Sequence, residues 1–400
     1  METDSPGNPK HHILPCFQPL EVSDCKVMKI GFSTFVLAGG RSGIATYIRE
    51  LIRFLQLADT ENRYELLMTK NDADLIPISN PHFSKRLFPS YTEQALLSIV
   101  WHNTALPALG KYDVVHIPTA RRIPLLKKSK VVATVHDLAA FAIDGKYDPA
   151  RMLFNRKLIP AMIRNADHVI TVSESSRNDL IRYTRYPEEQ ISVIYPGINR
   201  DMFQPVEQQE ARERLELLHG LEKPFIIYVS RLEHPGKNHI RLIKAFERFK
   251  LENDSAHQLI LAGADWSGAE QIKQRAAESP VKDDILFPGY VSVKSLALLY
   301  SACDLMVFPS LFEGFGLPII EALACGAPVI CSNTSSMKEI AKDRIPTFDP
   351  MSSESIFQAL ESALAKGPAE QERAEGMAYA ATFDWRTTAE RVMSIYGSVC

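Results

Sequence analysis

Short apolar runs alternate with helical patterns along most of this chain of 400 residues, and the alternation begins twice. A first series falls near residues 27–32, 64–69, 113–117, 130–135, 168–172 and 191–194, and a second at 225–230, 258–262, 284–288, 304–308 and 328–331. Runs that are apolar at nearly every position suit strands covered on both faces. Strands separated by helices pair in parallel through right-handed crossovers. The pattern predicts an α/β protein with two Rossmann-like, doubly wound domains facing a central cleft, and the length suits two domains. A charged stretch between Pro196 and Pro224, with a helical segment Glu207 to His219, parts the two series. The expected divisions are a loosely ordered extension at 1–26, marked by Pro6, Pro9, Pro15 and Pro19, then domains at 27–200 and 201–382, and a final helical segment at 383–400.

Ligands of open α/β sheets gather at the carboxyl ends of strands, and four strand ends here carry chemistry. After the run Asp304 to Phe308 comes FEGFGLPIIE, which sets Glu313 and Glu321 around a Gly-rich turn that opens a helix from Pro318 to Ala324. Proline at a helix start gives up a donor that has no partner there anyway. The unpaired amides around Gly316 and Leu317, with the partial positive charge of the helix start, suit a phosphate group. Carboxylates repel phosphate and suit hydroxyls, so Glu321 fits a ribose diol and Glu313 the hydroxyls of a sugar. The strand FIIYVS at Phe225 to Ser230 runs into Arg231, and Lys237 follows on a turn set by Pro235 and Gly236. VVATVHDL, from Val131 to Leu138, ends in His136 and Asp137. The first strand leads to Gly39-Gly40-Arg41-Ser42-Gly43 and an amphipathic helix over Ile44 to Leu57. That spacing is not Gly-x-Gly-x-x-Gly, so it gives no nicotinamide-binding fingerprint.

Taken together, these segments resemble the signature of retaining GT-B glycosyltransferases, specifically family 4 (group 1). Glu-x7-Glu is similar to the family's carboxylate pair, and Arg231-Leu232 with Lys237 to its diphosphate-holding cations. The resemblance implies a metal-independent hexosyltransferase with no cofactor and a nucleotide-sugar donor bound mainly to the C-terminal domain. Arg231 and Lys237 then hold the diphosphate, Glu321 the ribose, and Glu313 with His136 the sugar. Gly39 and Gly40 let the backbone approach both substrates. The family often has glycine where this chain has Asn238. The N-terminal domain is implied to take a saccharide or lipid-linked acceptor, and the final helix, with Trp385, to cross back to it. The segments around Val135-His136-Asp137-Leu138 and Ser230 to Asn238 look most like mannosyltransferase members that extend bacterial surface polysaccharides, which makes GDP-mannose the expected donor. A GT-B-like epimerase or phosphorylase, or a non-catalytic scaffold, remains as an alternative.

Other features bound the reading. Lys and Arg number 45 against 48 Asp and Glu, so no basic excess argues for nucleic acid. The six cysteines form no C-x-x-C pair, and Cys303, Cys325 and Cys331 lie in apolar runs, as buried thiols of a reducing compartment do. The polar, Pro-rich start does not read as a signal peptide, and no apolar run spans a bilayer. The expected location is cytoplasmic, with peripheral contact at the membrane. Asp72-Ala73-Asp74 has the form of an Asp-x-Asp metal motif but sits among turn formers, and it is set aside as a helix-start or loop cluster. Arg121, Arg122, Lys127, Lys128 and Lys130 either meet an anionic lipid surface, each charge worth about 1 kcal/mol there, or form a solvated loop.

Overall fold

A computed structural model describes residues 27–40, 42–110, 112–143, 149–367 and 370–400. The extension expected at 1–26, with Cys16 and Cys25, lies outside the described residues, as does Arg41 of the Gly-rich loop. Strand pairing is parallel throughout the two sheets. The first sheet contains β1 (Lys29–Ser33), β2 (Arg63–Thr69), β3 (Phe83–Phe88), β4 (Val114–Ile117), β5 (Lys130–Val135), β6 (His168–Thr171) and β7 (Ile191–Val193). Their spatial order is β3-β2-β1-β4-β5-β6-β7. The second contains β8 (Phe225–Val229), β9 (Gln258–Ala262), β10 (Ile285–Gly289), β11 (Leu305–Phe308), β12 (Val329–Ser332) and β13 (Thr347–Phe348), in the order β10-β9-β8-β11-β12-β13.

Both sheets are doubly wound, as the alternation predicts. Each is laid down outward from its first strand, then restarts on that strand's other side. The reversal falls between β1 and β4 in one sheet and between β8 and β11 in the other. At such a point the flanking loops diverge and leave a crevice at the carboxyl ends. The central strands are the continuous apolar runs of the sequence: every residue of β4 and β11 is buried. Two strands were not foreseen, and both are edges. In β3, FSKRLF, only Phe83 is fully buried, and its charges guard an exposed ladder. The other, β13, is two residues long. Cys303, Cys325 and Cys331 are buried free thiols, and Cys400 is exposed.

The two halves are sewn together where the chain leaves the first and later returns to it. A Cβ on Gly197 would stand 2.1 Å from the Trp385 backbone nitrogen, so only glycine lets the outgoing and returning segments touch. There the Ile198 amide donates to the Phe383 carbonyl at 3.0 Å, and the Thr388 hydroxyl donates to the Tyr195 carbonyl at 2.8 Å. The last helix, Trp385–Val399, then lies along the first, Gly43–Ala58. Trp385 is buried with its ring 5.5 Å from that of Tyr47. Near the other end the Tyr396 hydroxyl lies 2.6 Å from His116 Nδ1, and His116 Nε2 lies 2.8 Å from the Thr134 hydroxyl. Burial pushes the His116 pKa down to about 3, so this chain of polar contacts is neutral.

Truncating the tryptophan at this seam should leave a cavity that neither half can close. Trp385→Ala is expected to cost about 3–5 kcal/mol of unfolding free energy in denaturant titration. A loss below about 1 kcal/mol would mean that the returning helix is not part of the cooperative core.

Candidate active site

The loops that follow β8 and β11 flank the reversal point of the second sheet; they carry Arg231, Lys237 and Glu313, and the helix after the second loop carries Glu321. They are tied to one another by backbone. Leu311 N donates to the Gly236 carbonyl at 2.9 Å, and the buried Tyr228 hydroxyl donates to the Lys237 carbonyl at 2.9 Å. Asn238 takes φ 61°, ψ 23°, a left-handed conformation that asparagine tolerates better than most side chains. Its side-chain amide donates to the carbonyls of Pro309 and Pro350 at 2.9 and 2.7 Å. Asparagine thus gives the turn a glycine-like backbone and also pins it to the β11 loop.

On this frame two of the sequence-predicted groups meet. Lys237 Nζ lies 2.6 Å from Glu313 Oε1, with 17% and 15% of the two side chains exposed. The Glu313 backbone is clamped by hydroxyls from the helix Ser335–Ala341. Ser335 Oγ accepts from its amide at 3.0 Å and donates to its carbonyl at 3.1 Å, while Ser336 Oγ lies 3.0 Å from that carbonyl and 2.7 Å from that of Phe315. Gly316 turns the chain at φ 114°, which favours glycine, and opens the helix Leu317–Ala324 with no side chain capping it. Ile319 N donates to the Gly316 carbonyl at 3.0 Å and Pro318 has no N–H, which leaves the Gly316 and Leu317 amides as the donors a phosphate would use at this start. Glu321 sits on that helix, and burial pushes its carboxyl up to about 7; the Tyr300 hydroxyl donates to it over 3.5 Å.

Arg231 engages a different pair. Its Nη2 lies 3.1 Å from Glu233 Oε2, whose side chain is 7% exposed, and its guanidinium stacks 4.6 Å from the centre of the Trp266 ring. Sequence reasoning passed over both neighbours. Glu233 was visible two residues on from Arg231, but Trp266 belongs to the loop after β9 and arrives through the bridge between Leu232 and Asp265.

From the first half, His136 stands at the end of β5 with its ring 4.7 Å edge-on to Tyr47. Its Nε2 is buried without a partner among the described residues. Pro118 hydrogen-bonds the ring through its backbone, and a proline can offer only its carbonyl, so the other nitrogen, Nδ1, donates there. Burial holds the imidazole down to about 4, so it is neutral at pH 7 with a free acceptor on Nε2. The two halves meet at this residue. A Cβ on Gly314 would come 2.2 Å from the His136 carbonyl oxygen, and Ser176 Oγ lies 2.9 Å from that oxygen and 3.3 Å from the Gly314 carbonyl. Gly39 and Gly40 have φ of 76° and 80°. The Gly39 amide donates to Asp72 Oδ1 at 3.1 Å, and Thr69 donates to Asp72 Oδ2 at 3.4 Å. Asp72 therefore shapes the glycine loop, and Asp74 is exposed. Among the described residues no cluster of three or more His, Cys, Asp or Glu suits a metal ion.

Comparison with known proteins agrees with this geometry. Residues 209–382 match the family described as glycosyl transferases group 1, and residues 41–202 match glycosyltransferase family 4. The O-antigen chain mannosyltransferase B of Escherichia coli is 28% identical over 382 residues, which is 92% of this chain and 99% of that one. The serotype-specific mannosyltransferase WbdA of the same species is 30% identical over 65% of this chain, which spans 32% of that longer protein. Among solved structures, sucrose-phosphate synthase from Thermosynechococcus elongatus superposes with a TM-score of 0.72 at 22% identity, covering 92% of this chain and 98% of that one. HepE of Anabaena, solved in complex with UDP and glucose, gives 0.72 at 19% identity, over 93% and 100%. The fold is GT-B, and the chain belongs to the family 4/group 1 glycosyltransferases.

The contact at Gly314 generates a direct test. Gly314→Ala puts a methyl group into the His136 carbonyl and must move one loop away from the other. Turnover should fall about 100-fold, the scale of a misplacement near 1 Å, with each half still folded by circular dichroism. Unchanged turnover would show that the halves need not touch here.

Proposed function

We propose that this protein is a retaining, metal-independent mannosyltransferase that transfers mannose from GDP-mannose to a saccharide or lipid-linked saccharide during surface polysaccharide synthesis. The observation that carries the reading is the Lys237–Glu313 pair, on a loop that leads through Gly314, packed against the His136 backbone, to an uncapped helix start. The names of the mannosyltransferase relatives support the sugar and the pathway class. Arg231 and Lys237 take the diphosphate, with the amides of Gly316 and Leu317 on the same phosphates. Glu321 accepts from the ribose diol, and Glu313 from hydroxyls of the sugar. Neutral His136 accepts from a sugar hydroxyl through Nε2 and is not called on as a base.

Charge drives the step. As the glycosidic bond lengthens, negative charge grows on the departing diphosphate, and Lys237, held by Glu313 until then, is one of two cations that stabilise it, with Arg231 the other. The departing phosphate receives the proton of the acceptor hydroxyl on the face that it leaves, so the configuration is retained without a dedicated base. These cations and the helix start supply the positive charge that the reaction requires. In this reading the acceptor side lies around Gly39 and Gly40, at the cytoplasmic face of a membrane where a lipid-linked chain would be extended.

Incubation with GDP-mannose and a mannose-terminated acceptor in excess EDTA should give an α-linked product by NMR. A β-linked product, or activity that returns only with magnesium or manganese, would overturn the mechanism. Lys237→Ala and Glu313→Gln should each lower turnover by roughly 100-fold. The double variant should be little worse than either, because partners in one contact act as a unit; full additivity would separate them.

Glu321 gives a pH signature. Its folded pKa is raised to about 7, so the bare protein holds a proton there below that pH, and the charged form that grips ribose is lost as pH falls. GDP affinity should decline toward acid through pH 7, approaching tenfold per unit below it. Glu321→Gln should bind more weakly and lack that dependence in calorimetric titration. Parallel profiles for the two would remove Glu321 from the ribose.

A further inference from the structure

Glu313 owes its place to a helix of the second half that is itself anchored on the first. The helix Ser335–Ala341 buries Met337, Ile340 and Ala341, and the Tyr379 hydroxyl donates to the Ile340 carbonyl at 2.8 Å. Its first two residues supply the hydroxyls that hold the Glu313 and Phe315 backbone. Ser335 does so from φ 47°, a left-handed conformation that a serine keeps only where its surroundings impose it.

Glu339 lies four residues after Ser335, one turn on and on the same face of that helix. It reaches across to the first half. Its Oε1 accepts from the Glu174 amide at 2.9 Å and from the Tyr195 hydroxyl at 2.6 Å, and its Oε2 accepts from the Ser175 amide at 3.0 Å. The next residue, Ser176, sends its hydroxyl to the carbonyls of His136 and Gly314. Tyr195 closes the circuit, with its ring 5.9 Å from that of Phe315. The helix Glu174–Thr184 does not depend on Glu339 for its cap, because Ser173 Oγ already accepts from the Ser176 amide at 3.0 Å. What Glu339 adds is a link. It ties the helix that clamps Glu313 to the helix start that meets His136.

We propose that Glu339 is a positioning residue for Glu313. By gripping the start of Glu174–Thr184 it fixes the helix Ser335–Ala341, and through Ser335 and Ser336 it sets where Glu313 stands relative to His136. The inference deepens the proposed function, because it rests on Glu313 meeting the sugar and names the residue that aligns it with the first half.

The first test needs no turnover. In Glu339→Gln one oxygen becomes an NH2 group, which faces a backbone N–H whichever way round the amide sits. Hydrogen exchange by mass spectrometry should rise about tenfold at 313–316 as well as at 174–175, and stay unchanged at 258–262 in the core of the second sheet. Tyr195→Phe, which removes one of the three bonds, should move the same two segments by less. A rise confined to 174–175 would make Glu339 a helix cap and no more, and a rise that includes 258–262 would make it a general stabiliser; either overturns the proposal. Turnover of Glu339→Gln should fall about tenfold at saturating substrates, with GDP affinity by calorimetry within about twofold of wild type. An equal loss of GDP affinity overturns the assignment to Glu313. Added to Glu313→Gln, the substitution should cost little more, and full additivity overturns it too. If wild type transfers nothing from GDP-mannose while 313–316 responds as expected, the proposed function fails and the link through Glu339 stands.

Discussion

The active-site arrangement depends on a side chain that is missing. Gly314 allows the loop after β11 to lie against the His136 carbonyl, and no other residue fits there without parting the halves. The remaining contacts across the cleft are consistent with that approach. Glu339, on the second half, accepts from the amides of Glu174 and Ser175 at 2.9 and 3.0 Å and from the Tyr195 hydroxyl at 2.6 Å. It thus lends a carboxylate to the start of a first-half helix, where the helix dipole favours one. Gly197 does at the seam what Gly314 does in the cleft. Two close backbone approaches, one at each end, fix where two independently wound sheets face each other.

Within that frame, the charges are arranged in pairs that a diphosphate would rearrange. Lys237 holds Glu313 and Arg231 holds Glu233, so neither cation is an isolated charge in a partly buried cleft, where an unpaired one is costly. In the proposed function an arriving diphosphate would compete with Glu313 and Glu233 for these cations, and Trp266, against the Arg231 guanidinium, would keep its plane in place. Glu321 follows a different logic. It has no cation, and its weak contact with Tyr300 does not offset burial, so its carboxyl is poised near neutrality until donors arrive.

The sequence was most legible where one physical cause dominated. Central parallel strands are apolar at every position because both faces are covered, so β4, β5, β8 and β11 could be read directly, whereas β3 and β13, half open at the edges, left no such run. The loops after β8 and β11 flank the reversal point of the second sheet, and they bring Lys237 to Glu313 there. Pairing was not legible. That Lys237 would bond Glu313, 76 residues away, or that Trp266 would lie under Arg231, depends on how loops from different strands pack. The basic run at 121–130 was legible as charge but not as geometry, since its composition does not reveal that Arg122 turns inward or that Asp167 is shared.

His136 shows how neutrality and an unmet acceptor arise together. Its tautomer is set by the Pro118 carbonyl and its neutrality by burial. A buried nitrogen without a partner costs about 1–3 kcal/mol, and Nε2 has none among the described residues. A hydroxyl that reached Nε2 would remove that cost. A ligand carrying a donor at that position would therefore gain more from this nitrogen than its hydrogen bond is worth in solvent, and one without it would leave the cost in place.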